Sequence, residues 1–216
     1  LLAALSLSSE TLGQATDVQW GEWSTLGPFS HPEGGTGIKT AHPIEKELQK
    51  MKPGQVWKGQ DKTYRGKNKI KLTWLSVPES KRMDAGVLDC TELLPAVNNT
   101  PAMGDYAAAY FYRTIHSKKE TEIRIHCGAD DAIRVWLNGE SLLTRGGSNN
   151  MLPSAYEAVL HLKEGVNHLA LKLVNIGGAW SCRFGPYQRI GQEKINLAID
   201  RGIKFLLDHQ LIDGSW

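Results

Sequence analysis

Apolar residues recur at every second position along most of the stretch from Asp17 to about Tyr187. In TEIRIHC (121–127), Ile123, Ile125 and Cys127 fall on one side, and Glu122, Arg124 and His126 on the other. AIRVWL (132–137) groups Ile133, Val135 and Leu137, and NHLALKLV (167–174) groups Leu169, Leu171 and Leu173. WSCRF (180–184) does the same with Trp180, Cys182 and Phe184, and IKLTWLSV (70–77) with Ile70, Leu72 and Trp74. The aromatic-rich AAAYFYRT (107–114) and YEAVLHL (156–162) complete the set, and WSTLGPF (23–29) reads as an early strand ended by a Gly-Pro turn. Successive strand side chains point to opposite faces, so this period predicts sheets with one buried and one wet face. Asn138-Gly139 is a strong hairpin signal, because both residues tolerate positive φ. Lys163-Glu164-Gly165 and Gly177-Gly178 punctuate the later strands. The expected fold is mainly β: an antiparallel two-sheet jelly-roll sandwich.

Two segments follow a helical period instead. PIEKELQKM (43–51) has Pro in its first turn and Ile44, Leu48 and Met51 on one stripe, which predicts a short helix. QEKINLAIDRGIKFLLDHQ (192–210) spaces Ile195, Ile199, Ile203 and Leu206 as a C-terminal α-helix, with Ala198 and Leu207 widening the stripe. So broad an apolar face needs a partner, and the expectation is a second domain cut short at Trp216. The predicted organisation is a signal-peptide remnant at 1–15, a β-sandwich at 16–188 and the start of that further domain at 189–216. The first fifteen residues end in the small-x-small Gly13-Gln14-Ala15, which fits an export signal; a frayed start of the mature domain is the alternative.

Composition narrows the function classes. A net charge of +2 with scattered basic residues gives no reason to expect nucleic-acid binding. No run is long and apolar enough for a membrane-spanning helix. Cys90, Cys127 and Cys182 form no CxxC or Cys/His cluster, so zinc is not expected. Cys127 and Cys182 sit at inward strand positions, as buried thiols or as a bridge. The seven histidines show no metal-binding spacing and read as surface residues. The G-x-S-x-G and P-loop motifs are both absent.

The candidate chemistry is confined to a few places. Asp130-Asp131 reads first as turn punctuation and second as a calcium candidate, since carboxylates suit a hard cation. Calcium takes about six to eight oxygens, and no D-x-D-x-D-G loop supplies them. Adjacent carboxylates tend to point apart, which fits poorly with a glycosidase pair. Arg134 and Trp136 share the face opposite the core residues of 132–137. There they form either an exposed platform for a sugar ring or a surface covered by other parts of the chain. Arg145, Asn149 and Asn150, in the RGGSNN loop, offer guanidinium and amide groups to a hydroxyl-rich ligand, or form a solvated connection.

Several of these motifs occur together elsewhere. Trp23 to Phe29 carries W-x-x-x-G-P-F, and an AY-aromatic strand begins near Tyr106. GADDAIRVWLNG and LKEGVNHLALK follow in order. Together they resemble a jelly-roll module of secreted bacterial multidomain proteins, related to the sugar-binding domains that accompany glycoside hydrolases. AIDRGIKFLLDHQLIDGSW (198–216) resembles a repeat of the squalene-cyclase and prenyltransferase-like α/α-toroid family. Its end is similar to that family's Q-x-x-D-G-x-W motif with one residue more, and the motif has a structural role there. The acidic catalytic motif of the cyclases does not occur in this sequence.

These resemblances imply a non-catalytic, secreted or periplasmic module that binds carbohydrate or packs against its neighbouring domain. The partner is then a polysaccharide or the adjacent toroid, with calcium as the one cofactor to consider. The alternative is an accessory domain of a toroid enzyme whose active site lies beyond Trp216.

Overall fold

The computed structural model describes residues 17–32, 37–81, 87–98, 104–147, 156–186 and 192–209. They divide into two units, Leu1–Pro186 and Tyr187–Trp216. The first is an antiparallel sandwich. Its larger sheet contains β1 (Val18–Trp20), β2 (Ser24–Ser30), β5 (Leu75–Ser76), β7 (Ala107–Ser117), β9 (Ala132–Leu137), β10 (Glu140–Arg145) and β12 (Gly165–Asn175), in the order β10-β9-β12-β7-β2-β5, with β1 also on β7. The smaller sheet runs β11 (Tyr156–Leu162), β8 (Thr121–Asp130), β13 (Ser181–Pro186), β6 (Val87–Asp89). A short ribbon pairs β3 (Tyr64–Arg65) with β4 (Lys71–Leu72). The helices of this unit are α1 (Pro43–Leu48) and α2 (Cys90–Asn98). The mainly antiparallel β architecture agrees with the sequence pattern.

The inward residues of both sheets meet in one core. Ile133, Val135 and Leu137 of β9 and Leu169, Leu171 and Leu173 of β12 face Ile125 and Cys127 of β8 and Cys182 and Phe184 of β13. Trp23 meets Phe184 edge-to-face at 5.8 Å between ring centres. All three cysteines are buried and unbridged. Burial pushes the Cys127 thiol up to about 12 and the other two well above their ordinary value. Thiols held neutral in this way are poor nucleophiles and poor metal ligands.

The outer face of the larger sheet is not wet. Leu26, Phe29, Tyr110, Tyr112, Trp136 and Ala170 on that face are covered by Ile44 and Leu48 of α1 and by Met51, Trp57, Tyr64 and Leu72. Strands β7 and β12 are therefore buried on both sides, which explains the unbroken apolar run AAAYFY. Asn138 and Gly139 take positive φ, 51° and 89°, and turn β9 into β10. The turn lies against the end of α1: a Cβ on Gly139 would stand 2.8 Å from the Met51 carbonyl oxygen.

Several expectations change. The 43–51 helix closes at Leu48, because the chain then turns to send Met51 inward and Trp57 over Tyr112. The 70–77 segment is two short strands, since β4 pairs with β3 and β5 with β2. Strand β2 continues through the cis Gly27-Pro28 bond by a bulge between Leu26 and Phe29, where proline's missing donor costs no ladder bond. Residues 87–98, unassigned from sequence, form β6 and α2, with Asp89 Oδ1 accepting from the Thr91 amide at 2.8 Å as a helix cap.

The second unit is described as one helix, α3 (Gln192–His209). Within it, Ile199, Ile203, Phe205, Leu206 and Leu207 are exposed. The signal-like start and the Gln210–Trp216 motif lie outside the described residues.

Candidate functional site at one end of the sandwich

Antiparallel register brings eight strand ends together. Ser30 and Asn175 both lie opposite Ala107, Val174 opposite Ala132, and Arg145 opposite Ile133. In the smaller sheet, Ser181 lies opposite Asp130 and Tyr156 opposite Cys127. Asp130 and Asp131 occupy the point where the chain leaves β8 of one sheet and enters β9 of the other. They do not start a hairpin; the hairpin is β9-β10, one strand later.

The two acids are joined by a cis peptide bond. Asp131 is buried; its amide donates to the Val174 carbonyl at 3.0 Å, and its Oδ2 accepts from the Ile176 amide at 2.6 Å. This carboxylate therefore fastens β9 to the end of β12. Asp130 is half-buried, and its carboxyl is held above the usual range, first by burial, then by the Asp131 charge and a hydrogen bond to Asp131. The pair shares a site in which a second negative charge is unfavourable.

Asn175 lies beside them. The β12–β9 ladder ends with Val174 opposite Ala132, and Asp131 then bonds the Val174 carbonyl by its amide and the Ile176 amide by its carboxylate, the residues on either side of Asn175. Asn175 keeps the phase of Leu169, Leu171 and Leu173, so it belongs to the inner face of the larger sheet. Its Nδ2 donates to the Gly104 carbonyl at 2.8 Å, and its own backbone carbonyl faces His31 Nε2 at 2.9 Å. Its Oδ1 is buried without any hydrogen-bond partner, on a residue that is 0% exposed. A buried acceptor left unsatisfied costs about 1–3 kcal/mol. Two carboxylates beside an orphaned amide oxygen are the donor chemistry of a hard cation. Among the described residues, no three His, Cys, Asp or Glu side chains cluster for a metal, so such a site depends on the amide.

Arg145 stands at the same end. It is exposed, its guanidinium lies 5.5 Å from the Tyr156 ring centre, and its Nη1 donates to the Thr144 carbonyl at 3.0 Å. Asn149 and Asn150 lie outside the described residues.

Arg134 and Trp136 do not join this group. Trp136 is 3% exposed and packed under α1, so it offers no open platform to a sugar ring. Arg134 lies over that ring, with its Nη1 3.5 Å from Glu45 Oε2. The other tryptophans described are likewise buried or half-buried, so the aromatic surplus fills cores.

Beneath α1 lies a closed polar network. Lys172 Nζ, fully buried, donates to Glu45 Oε1 at 2.8 Å and to the Thr40 carbonyl at 2.6 Å. The Tyr110 hydroxyl donates to Glu45 Oε1 at 2.6 Å and lies 2.8 Å from His42 Nδ1. Burial lowers the affinity of His42 and Lys172 for protons. His31, His42 and His168 are buried and hydrogen-bonded, against the expectation of surface histidines. This network ties the covering helix to the sheet.

Sequence reasoning missed Asn175, although a signal was present: it is the polar residue that ends the inward series 169, 171, 173.

No family model matches the sequence, and no curated protein matches it. Solved structures similar to it include a β-glucosidase from Kluyveromyces marxianus, at TM-score 0.32 and 16% identity, over 45% of this chain and 13% of that one. A PA14 sugar-binding domain from an RTX adhesin aligns at TM-score 0.30 and 17% identity, over 37% of this chain and 46% of that one. An anti-sigma factor domain-containing protein from Clostridium clariflavum aligns at TM-score 0.41 and 10% identity, over 80% of this chain and 43% of that one. The chain therefore spans less than half the length of each of these three.

Proposed function

We propose that the sandwich is a non-catalytic carbohydrate-binding module of a secreted multidomain protein. It recognises its ligand at the loop-bearing end, through a calcium ion held by Asp130, Asp131 and Asn175. One observation carries this reading: the buried, unpartnered Oδ1 of Asn175, the residue between the two that Asp131 hydrogen-bonds. Calcium accepts about six to eight oxygens at flexible geometry. These three side chains leave positions for backbone carbonyls, water and the hydroxyls of a sugar. Asp130 and Asp131 are neighbours in sequence, so they cannot flank a glycosidic bond from opposite sides, and recognition without bond cleavage is the role they fit.

Isothermal titration of the full chain with calcium, then a glycan array with calcium or with chelator, tests the proposal. The expected result is saturable calcium binding and glycan signals that vanish with chelator. Glycan signals indifferent to chelator, or no glycan signal at all, would refute it.

A second reading is favoured by the exposed Ile199, Ile203, Phe205, Leu206 and Leu207 of α3. It makes this chain an accessory part that packs against an adjoining toroid domain, whose own activity belongs to that domain. A chain extended beyond Trp216 should then bury this stripe, seen as hydrogen-exchange protection across 199–207. Fast exchange there in the extended chain would count against it.

A further inference from the structure

Arg145 stands at the same end of the sandwich as Asp130 and Asp131, and no ion pair among the described residues involves it. Its position is nonetheless fixed. The guanidinium rests on the Tyr156 ring at 5.5 Å and spends one donor on the Thr144 carbonyl, leaving the rest of its fork without a protein acceptor.

The register also fixes its place relative to the acids. Arg145 lies opposite Ile133, two residues from Asp131 on the neighbouring strand. At strand spacings of about 4.8 Å across and 3.4 Å along, its Cα stands about 8 Å from that of Asp131. Arg145 keeps the phase of Leu143 and Ile133, both core residues, so it lies on the same inner side as Asp131 and Asn175. The acid pair and a guanidinium with donors to spare thus stand near one another at this end of the sandwich.

We infer that the preferred ligand is an acidic glycan whose sugar carboxylate is taken by the Arg145 fork while its hydroxyls reach the cation held by Asp130, Asp131 and Asn175. This rests on the carbohydrate reading above and adds the ligand class. A carboxylate carries the charge opposite to that of the guanidinium, and its two oxygens match the fork bidentately.

Titration calorimetry of the full chain at fixed calcium, with three trisaccharide probes, tests the inference. The probes are trigalacturonate, its carboxyl-reduced counterpart and a sulfated neutral trigalactoside. Trigalacturonate should bind about ten- to a hundredfold tighter than the reduced sugar, the range of a charge-assisted contact. Arg145→Gln and Arg145→Lys should both lose that preference, since lysine keeps the charge but not the fork, while terbium binding at the acid pair stays unchanged. Equal affinity for the reduced sugar, equal affinity for the sulfated sugar, or a preference that survives in Arg145→Lys would overturn the inference and leave the carbohydrate reading standing. No heat with any of the three sugars, despite terbium binding, would overturn the inference, and a blank glycan array as well would overturn both.

Discussion

Lys172→Met is the most informative perturbation of the covered face. The ammonium is fully buried, 2.8 Å from Glu45 Oε1, 2.6 Å from the Thr40 carbonyl and 3.4 Å from the Ile38 carbonyl. Methionine fills similar volume without the charge. Glu45 then keeps only the Tyr110 hydroxyl at 2.6 Å and the half-buried Arg134 at 3.5 Å. Removing one partner of a buried ion pair costs about 3–5 kcal/mol. The Arg134 guanidinium remains to compensate Glu45, which places the cost near the lower end, about 3 kcal/mol. For a domain of this size that is a fall in Tm of about 6–12 °C. The double variant Lys172→Met, Glu45→Leu removes both charges and leaves an apolar contact between α1 and the sheet. Its expected cost is below about 2 kcal/mol, so the two changes couple strongly. Thermal melts followed by circular dichroism measure both. A single variant that costs under about 1 kcal/mol, or a double variant as costly as the two singles summed, would refute the claim that this pair pins the helix over Trp136.

Two further outcomes follow from the same structure. His42 and His168 have proton affinities lowered chiefly by burial. Below pH 6.5 the unfolded chain therefore binds protons that the folded chain refuses, and stability should fall as the pH drops from 7 to 5. His42→Gln with His168→Gln should flatten that decline in Tm, and an unchanged slope would count against it. Gly139→Ala combines φ of 89° with a Cβ 2.8 Å from the Met51 oxygen and should cost about 3 kcal/mol or more in denaturant titration; Gly165→Ala, at φ of 86° in open space, should cost only the left-handed strain of about 1–2 kcal/mol. Equal losses at the two glycines would mean that the hairpin does not pack on the end of α1.

The sandwich was legible because period-two alternation is a local signal that one buried face imposes on every strand. Inward residues of β8, β9, β12 and β13 were all assigned to the right side. What covers the opposite face is a non-local matter. Trp136 and Lys172 both fall in the outward phase, and only the return of residues 43–72 across the sheet buries them. Asp130-Asp131 was visible as a pair, but its position between two sheets depends on strand order, which alternation does not encode. Asn175 was readable by extending the inward series of β12, yet its orphaned oxygen emerges only once Gly104 and His31 have taken the other polar atoms of that residue. Arg145 was singled out from its loop, and the register then set it beside the acids.

Calcium-dependent stabilisation tests the central claim most directly. Calcium at about one hundred times its Kd should stabilise the chain by about 2.7 kcal/mol, a rise in Tm of about 5–11 °C. The effect should weaken as pH falls, because the raised proton affinity of Asp130 competes with the ion. It should be absent in Asp131→Asn, which keeps a side-chain oxygen for the Ile176 amide, and in Asn175→Leu. A wild-type melting temperature unmoved by millimolar calcium, or an equal rise in all three proteins, would contradict the account.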